Sequence, residues 1–272
     1  MKKRYEINMT KGPLLPELLQ FILPLMLSSM LQIAFNAAAL IVVGRFGRPH
    51  SMAAVGANGA MINLIINVLM GLATGGGVLC ARYYGANQTD KLHRTVSTTL
   101  ITGVIGGVIT GALGLALTVP LLRLVGSPDE VLPLATVYLR IYFLGLPVMA
   151  LYNFSAAALR ALGNTRQPLI YLAIAGVLNV IMNLFFVIVV GIDVAGVAIA
   201  TVLSQAVGAF WILRFLTGSK TILRLRKEHL RPEGRVILPV MGLGISTFVM
   251  LSTESLLSIS FSSSLALSLI HI

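Results

Sequence analysis

The chain reads as a succession of long apolar stretches cut by short polar ones. Residues 17–43, 52–80, 96–119, 131–158, 168–190 and 194–215 form six such stretches, and a seventh opens near Val236. A helix needs ~20 mostly apolar residues to cross the hydrocarbon of a bilayer. All six meet that length. The expected architecture is therefore an all-α, polytopic membrane protein: a six-helix transmembrane bundle followed by a partial seventh helix. The basic N-terminus (Lys2, Lys3, Arg4) does not introduce a cleavable signal. Its apolar run is too long, and no small-residue cleavage site ends it.

Composition sharpens this reading. Of 272 residues, 57% are hydrophobic and only 11% are charged. A soluble domain carries about 25% charged residues, so an ordinary water-soluble enzyme is excluded. Disorder is excluded too, because disordered chains lack Ile, Leu and Val. The net charge of +11 could suggest nucleic acid, but the basic residues sit in short loops between apolar runs, where they set topology. With the N-terminus in the cytoplasm, sixteen cations lie inside: Lys2, Lys3, Arg4, Lys11, Arg82, Lys91, Arg94, Arg160, Arg166, Arg214, Lys220, Arg224, Arg226, Lys227, Arg231 and Arg235. Only Arg45, Arg48 and Arg123 lie outside. That asymmetry predicts a multi-pass cell-membrane protein with a cytoplasmic N-terminus and no nucleic-acid partner. Arg140 lies within the fourth stretch, where it is expected to snorkel. The single cysteine, Cys80, allows no intrachain disulfide.

A short string recurs. Ile22-Leu23-Pro24-Leu25-Met26 opens the first stretch and Ile237-Leu238-Pro239-Val240-Met241 opens the seventh, 215 residues later. Six crossings separate the copies, so they start from the same side, as in a parallel repeat. The predicted whole is six plus six helices. On this reading residues 1–16 are a cytoplasmic segment, 17–217 a first lobe, 218–235 a basic inter-lobe linker, and 236–257 the start of a second lobe. Residues 258–272 are rich in Ser, Leu and Ile and read as an anomalous, non-native tail. The chain is expected to be a fragment whose partner is the missing second lobe. A natural six-span protein with a stub is the competing view.

Glycines are dense in the stretches, and Gly103, Gly107 and Gly111 form a ridge at spacing four, expected to pack helices closely. Polar residues inside the stretches are the functional candidates, because they are costly there. Gln32 and Asn36, Asn179 and Asn183, and Thr201 and Gln205 are pairs four apart; Asn153 and Ser204 stand near them in sequence or span. Residues four apart share one helix face. Their oxygens can coordinate a cation or bind a solute. The alternative is interhelical glue, worth about 0.6 kcal/mol per bond. No catalytic or metal-binding set stands out, because His50, His93 and His229 fall in loops. Tyr138, Tyr142 and Tyr152 read as packing residues. Among the acids only Glu254 falls inside a span.

Several strings together resemble the multidrug and toxic compound extrusion (MATE) transporters. They are Phe35-Asn36 with Ile41-Val42-Val43-Gly44-Arg45-Phe46-Gly47; Ala54-Val55-Gly56-Ala57; Cys80-Ala81-Arg82-Tyr83-Tyr84-Gly85-Ala86; Tyr138-Leu139-Arg140-Ile141; Tyr152-Asn153-Phe154; Ala158-Leu159-Arg160-Ala161-Leu162-Gly163-Asn164-Thr165-Arg166; Leu178-Asn179; and Ala195-Gly196-Val197-Ala198. The similarity runs from about Leu18 to Thr217, the first half of a twelve-helix family. The resemblance implies a two-lobed transporter with a cleft open alternately to each side. It implies export of small, often cationic, organic compounds in exchange for Na+ or H+, with no other cofactor. It also implies that Gln32, Asn179, Asn183 and Thr201 line a polar pocket in the first lobe. With Asn36, Asn153 and Glu254 they are the expected cation or substrate site. The family usually carries an Asp three residues after the Asn of the Phe-Asn string; here that position is Ala39. Two rivals remain: a lipid-linked glycan flippase of related architecture, which should carry several basic residues in its cleft, and a truncated, non-transporting fragment.

Overall fold

The computed structural model describes residues 14–48, 50–124, 126–218, 234, 236–250 and 252–253. The basic segments 1–13 and 219–233, and everything from Glu254 onward, lie outside the described residues. Six long helices follow one another: α1 (Leu14–Phe46), α2 (Ser51–Gly85), α3 (Thr89–Leu124), α4 (Leu132–Ala161), α5 (Arg166–Leu184) and α6 (Asp193–Thr217). A π-helical turn, Phe185–Val190, extends α5. A shorter apolar helix, α7, covers Val236–Met250. All six long helices are long and apolar enough to cross a membrane. Helices suit that setting because every backbone polar group is satisfied within the segment.

The helices overrun the apolar stretches. The 33 residues of α1 make a helix about 50 Å long, against about 30 Å of hydrocarbon. The largest difference is at α3, which begins at Thr89 rather than at the first apolar residue. Lys91, His93 and Arg94 therefore lie on its opening turns and not in a loop. Arg160 likewise belongs to the last turn of α4. Hydropathy ends where water begins, but hydrogen bonding carries a helix further.

α4 is the centre of the bundle and packs against α3, α6 and α2, while α1 leans mainly on α5. The two faces of α3 show what the bundle lies in. Gly103, Gly107, Gly111 and Gly114 are buried, whereas Ile105, Ile109, Leu113 and Leu117 point outward, 47–58% exposed. A water-soluble helix would reverse that arrangement. In lipid there is no hydrophobic force between helices, so small residues that admit close van der Waals contact take the interior. A Cβ on Gly107 would fall 2.9 Å from the Pro147 Cα, and one on Gly111 would fall 2.7 Å from the Phe143 carbonyl oxygen. The glycine ridge is thus spent on α4 of the same chain. A similar crossing joins α2 to α7: a Cβ on Gly75 would lie 2.6 Å from both the Gly244 nitrogen and the Val240 carbonyl oxygen.

At the end where α1 meets α2, the turn is tied to α6. Asp193 opens α6 with a positive φ of 45°, a conformation that Asp tolerates better than most residues. Its carboxylate is only 8% exposed. It accepts a hydrogen bond from the Ser51 hydroxyl at 2.5 Å and one from the Arg48 backbone N–H at 3.2 Å. The exposed His50 Nε2 comes within 4.0 Å of a Glu130 carboxylate oxygen.

Candidate functional site

Two neighbouring cavities lie among the described helices. The deeper one, of about 520 Å³, is walled by α1, α2, α4, α5 and α6. The first helix contributes Gln32, Asn36 and Ala39, α4 contributes Tyr138, Tyr142 and Asn153, and α5 and α6 contribute Asn179, Thr201, Ser204 and Gln205. These side chains converge because each spacing-four pair presents one face and α4 brings the others to it. The residues lining this cavity include no acid and no base.

Of the expected site residues, Gln32, Asn36, Asn153, Asn179 and Thr201 line this cavity. Asn183 stands behind it, fully buried. Its Nδ2 donates to the Asn179 Oδ1 at 2.9 Å. The Asn179 Nδ2 in turn donates to the Thr201 Oγ1 and the Ser204 Oγ, each at 3.3 Å. Thr201 and Ser204 donate to backbone oxygens of α6, and Asn153 donates to the Met149 carbonyl at 2.9 Å. The network therefore joins α5 to α6 as glue and leaves the Asn183 Oδ1 buried with no hydrogen-bond partner. Glu254 lies outside the described residues.

Ala39 is on the cavity wall, so the position where an acid was expected from family resemblance carries a methyl group. Asn63 of α2 also lines the cavity and escaped sequence reasoning. Its spacing of four from Asn67 was the available signal.

The second cavity, of about 910 Å³, opens at the end where α1 and α5 begin and α2 and α4 finish. It shares Gln32, Tyr152, Asn153 and Leu172 with the deeper cavity. The two are thus consecutive parts of one path along the bundle. The Tyr152 hydroxyl donates to the Pro168 carbonyl at 3.1 Å, tying α4 to α5 at their junction. Arg160, in the last turn of α4, lines this cavity.

Known proteins place this geometry. The MatE family profile matches residues 24–185. The probable multidrug resistance protein YpnP of Bacillus subtilis (strain 168) is 28% identical over 258 residues, covering 93% of this chain and 57% of the relative. The multidrug export protein MepA of Staphylococcus saprophyticus is 24% identical over 254 residues, covering 92% of this chain and 55% of the relative. A crystal structure of MATE in the bent conformation superposes with a TM-score of 0.79 at 26% identity, covering 88% of this chain and 52% of that one. The chain spans about half the length of the curated relatives it matches.

Proposed function

The chain belongs to the MATE family, a family of transporters and not of enzymes, and from that premise we propose that it forms the first lobe of a secondary multidrug exporter. A second lobe faces it, and the two rock about a central passage so that the passage opens to each side in turn. The observation that carries this reading is the path of two cavities joined at Gln32, Tyr152, Asn153 and Leu172. A packed structural bundle has no need of a continuous void lined in part by amides.

Export is driven by antiport with Na+ or H+. The lining of the deeper cavity favours Na+ for this lobe. Its polar groups are amides and hydroxyls, which offer oxygen ligands to a hard cation but do not titrate near neutral pH. The Asn179 amide and the Thr201 hydroxyl, which line the cavity, are the first ligands such an ion would find, with Asn183 hydrogen-bonded behind them. The cation drives transport only by binding one state of the lobes better than the other. The solute is a small organic molecule, expected from the resemblance to be cationic, and Tyr138 and Tyr142 offer it ring faces. The multi-pass protein lies in the cell membrane with its N-terminus in the cytoplasm, as the basic loops favour.

The test is efflux of ethidium from vesicles holding the full-length protein, with an imposed Na+ or pH gradient. Efflux driven by the Na+ gradient is expected. Asn179→Leu, which keeps the bulk but removes the oxygen, should weaken the Na+ dependence about tenfold, the equivalent of one lost interaction of about 1.4 kcal/mol. Efflux that ignores both gradients would overturn the antiport reading.

A further inference from the structure

We propose that the wider portion of the path, the cavity of about 910 Å³, is a binding site for the anionic head of an amphipathic molecule, held by Arg160. The inference concerns binding and stands apart from the question of antiport.

Arg160 sits in the last turn of α4, where the negative end of the helix dipole holds a cation. Among the described residues no carboxylate pairs with it. Its guanidinium charge is permanent, because arginine is not deprotonated in proteins. It carries five donors in a planar fork, and that fork matches a carboxylate or phosphate two bonds at a time. A buried cation with no carboxylate partner among the described residues is costly, and an anion bound at this cavity would relieve that cost.

The rest of the cavity says what carries the anion. Phe21, Leu25, Met70 and Val78 line it and offer an apolar wall for a hydrocarbon tail. The volume falls in the range that encloses a drug-sized molecule. The contrast with the deeper cavity is informative. That cavity is neutral throughout, so the path changes electrostatic character at Gln32 and Asn153. A solute with only positive charge meets a guanidinium at the wider cavity that no carboxylate among the described residues offsets. An organic anion or a zwitterion meets a partner. The shared chemistry, a phosphate or carboxylate on an apolar body, can come from a dissolved amphiphile or from an anionic lipid of the inner leaflet.

Isothermal titration in dodecyl maltoside with dodecyl phosphate and with dodecyltrimethylammonium compares two charges on one tail. The full-length protein should bind dodecyl phosphate at least about tenfold more tightly, as expected of charge-assisted hydrogen bonds. Arg160→Gln should abolish the preference, and Arg160→Lys should keep part of it. Ser28→Asp, on α1 at the wall of the same cavity, places a carboxylate against the site and should abolish the preference with Arg160 intact. It serves if Arg160→Gln does not fold. Competition by phosphatidylglycerol, against phosphatidylcholine in nanodiscs, would assign the head to lipid; absence of competition would assign it to a dissolved solute. Equal affinity for the two amphiphiles, or a preference that survives both Arg160→Gln and Ser28→Asp, overturns the proposal.

Discussion

Asp193 shows how one residue acts at a distance in sequence. It joins α6 to the α1–α2 turn across more than 140 positions, through the Ser51 hydroxyl and the Arg48 N–H. Removing the carboxylate leaves two donors without their acceptor, a loss of about 1–3 kcal/mol. Asp193→Ala should therefore lower the thermal unfolding midpoint in detergent. Asp193→Gly should cost less than Asp193→Ala, because its backbone has φ of 45° and glycine relieves the strain without restoring the bonds. Asp193→Asn, which keeps an acceptor oxygen, should cost least. An unchanged midpoint in all three would show that the tie contributes nothing. Single residues are also where the sequence was least legible. Gln32, Asn36, Asn179 and Thr201 could be picked out, since polar side chains are conspicuous in apolar runs and their spacing gives the face. The apolar pattern leaves Arg160 in a loop, and nothing in it singles out Asp193. Whether a charge at the end of a helix faces water or a cavity depends on neighbours far away in the chain.

At the scale of the element, helix existence was plain and helix extent was not. Crossing a bilayer requires a run of apolar residues that hardly arises otherwise, so six runs gave six helices. The runs stop at the edge of the hydrocarbon, and only hydrogen bonding decides how far each helix continues. The contact between α3 and α4 was legible as a glycine ridge, but its partner was not. Neighbouring glycines make that contact testable. Gly107 has the Pro147 Cα in the way of a Cβ, at 2.9 Å, whereas Gly106 has nothing within 4 Å. Gly107→Leu should destabilise the bundle by about 1–3 kcal/mol through overpacking. Gly106→Ala should be neutral or stabilising, because alanine is the better helix former. Thermal unfolding of both variants side by side checks the pair, and equal effects would mean that α4 does not lie on this ridge.

At the scale of the whole molecule, orientation is the property most open to measurement. Cys80 is buried and should resist a membrane-impermeant maleimide, which makes the natural chain a clean background for labelling. A cysteine at His50, in the α1–α2 turn with 53% of its side chain exposed, should react from outside intact cells. A cysteine at Gln88, in the exposed α2–α3 turn, should react only after the membrane is opened. The reverse pattern would invert the topology that the basic loops favour. The crossing of α2 and α7 has a further consequence, for evolution. Backbone meets backbone there, at Gly71, Gly75 and Gly244, with no layer of side chains between to absorb change by repacking. Drift at these positions is confined to the smallest residues for as long as the crossing persists. Across diverging relatives that keep it, these three should vary least in size while the lipid-facing residues around them exchange freely.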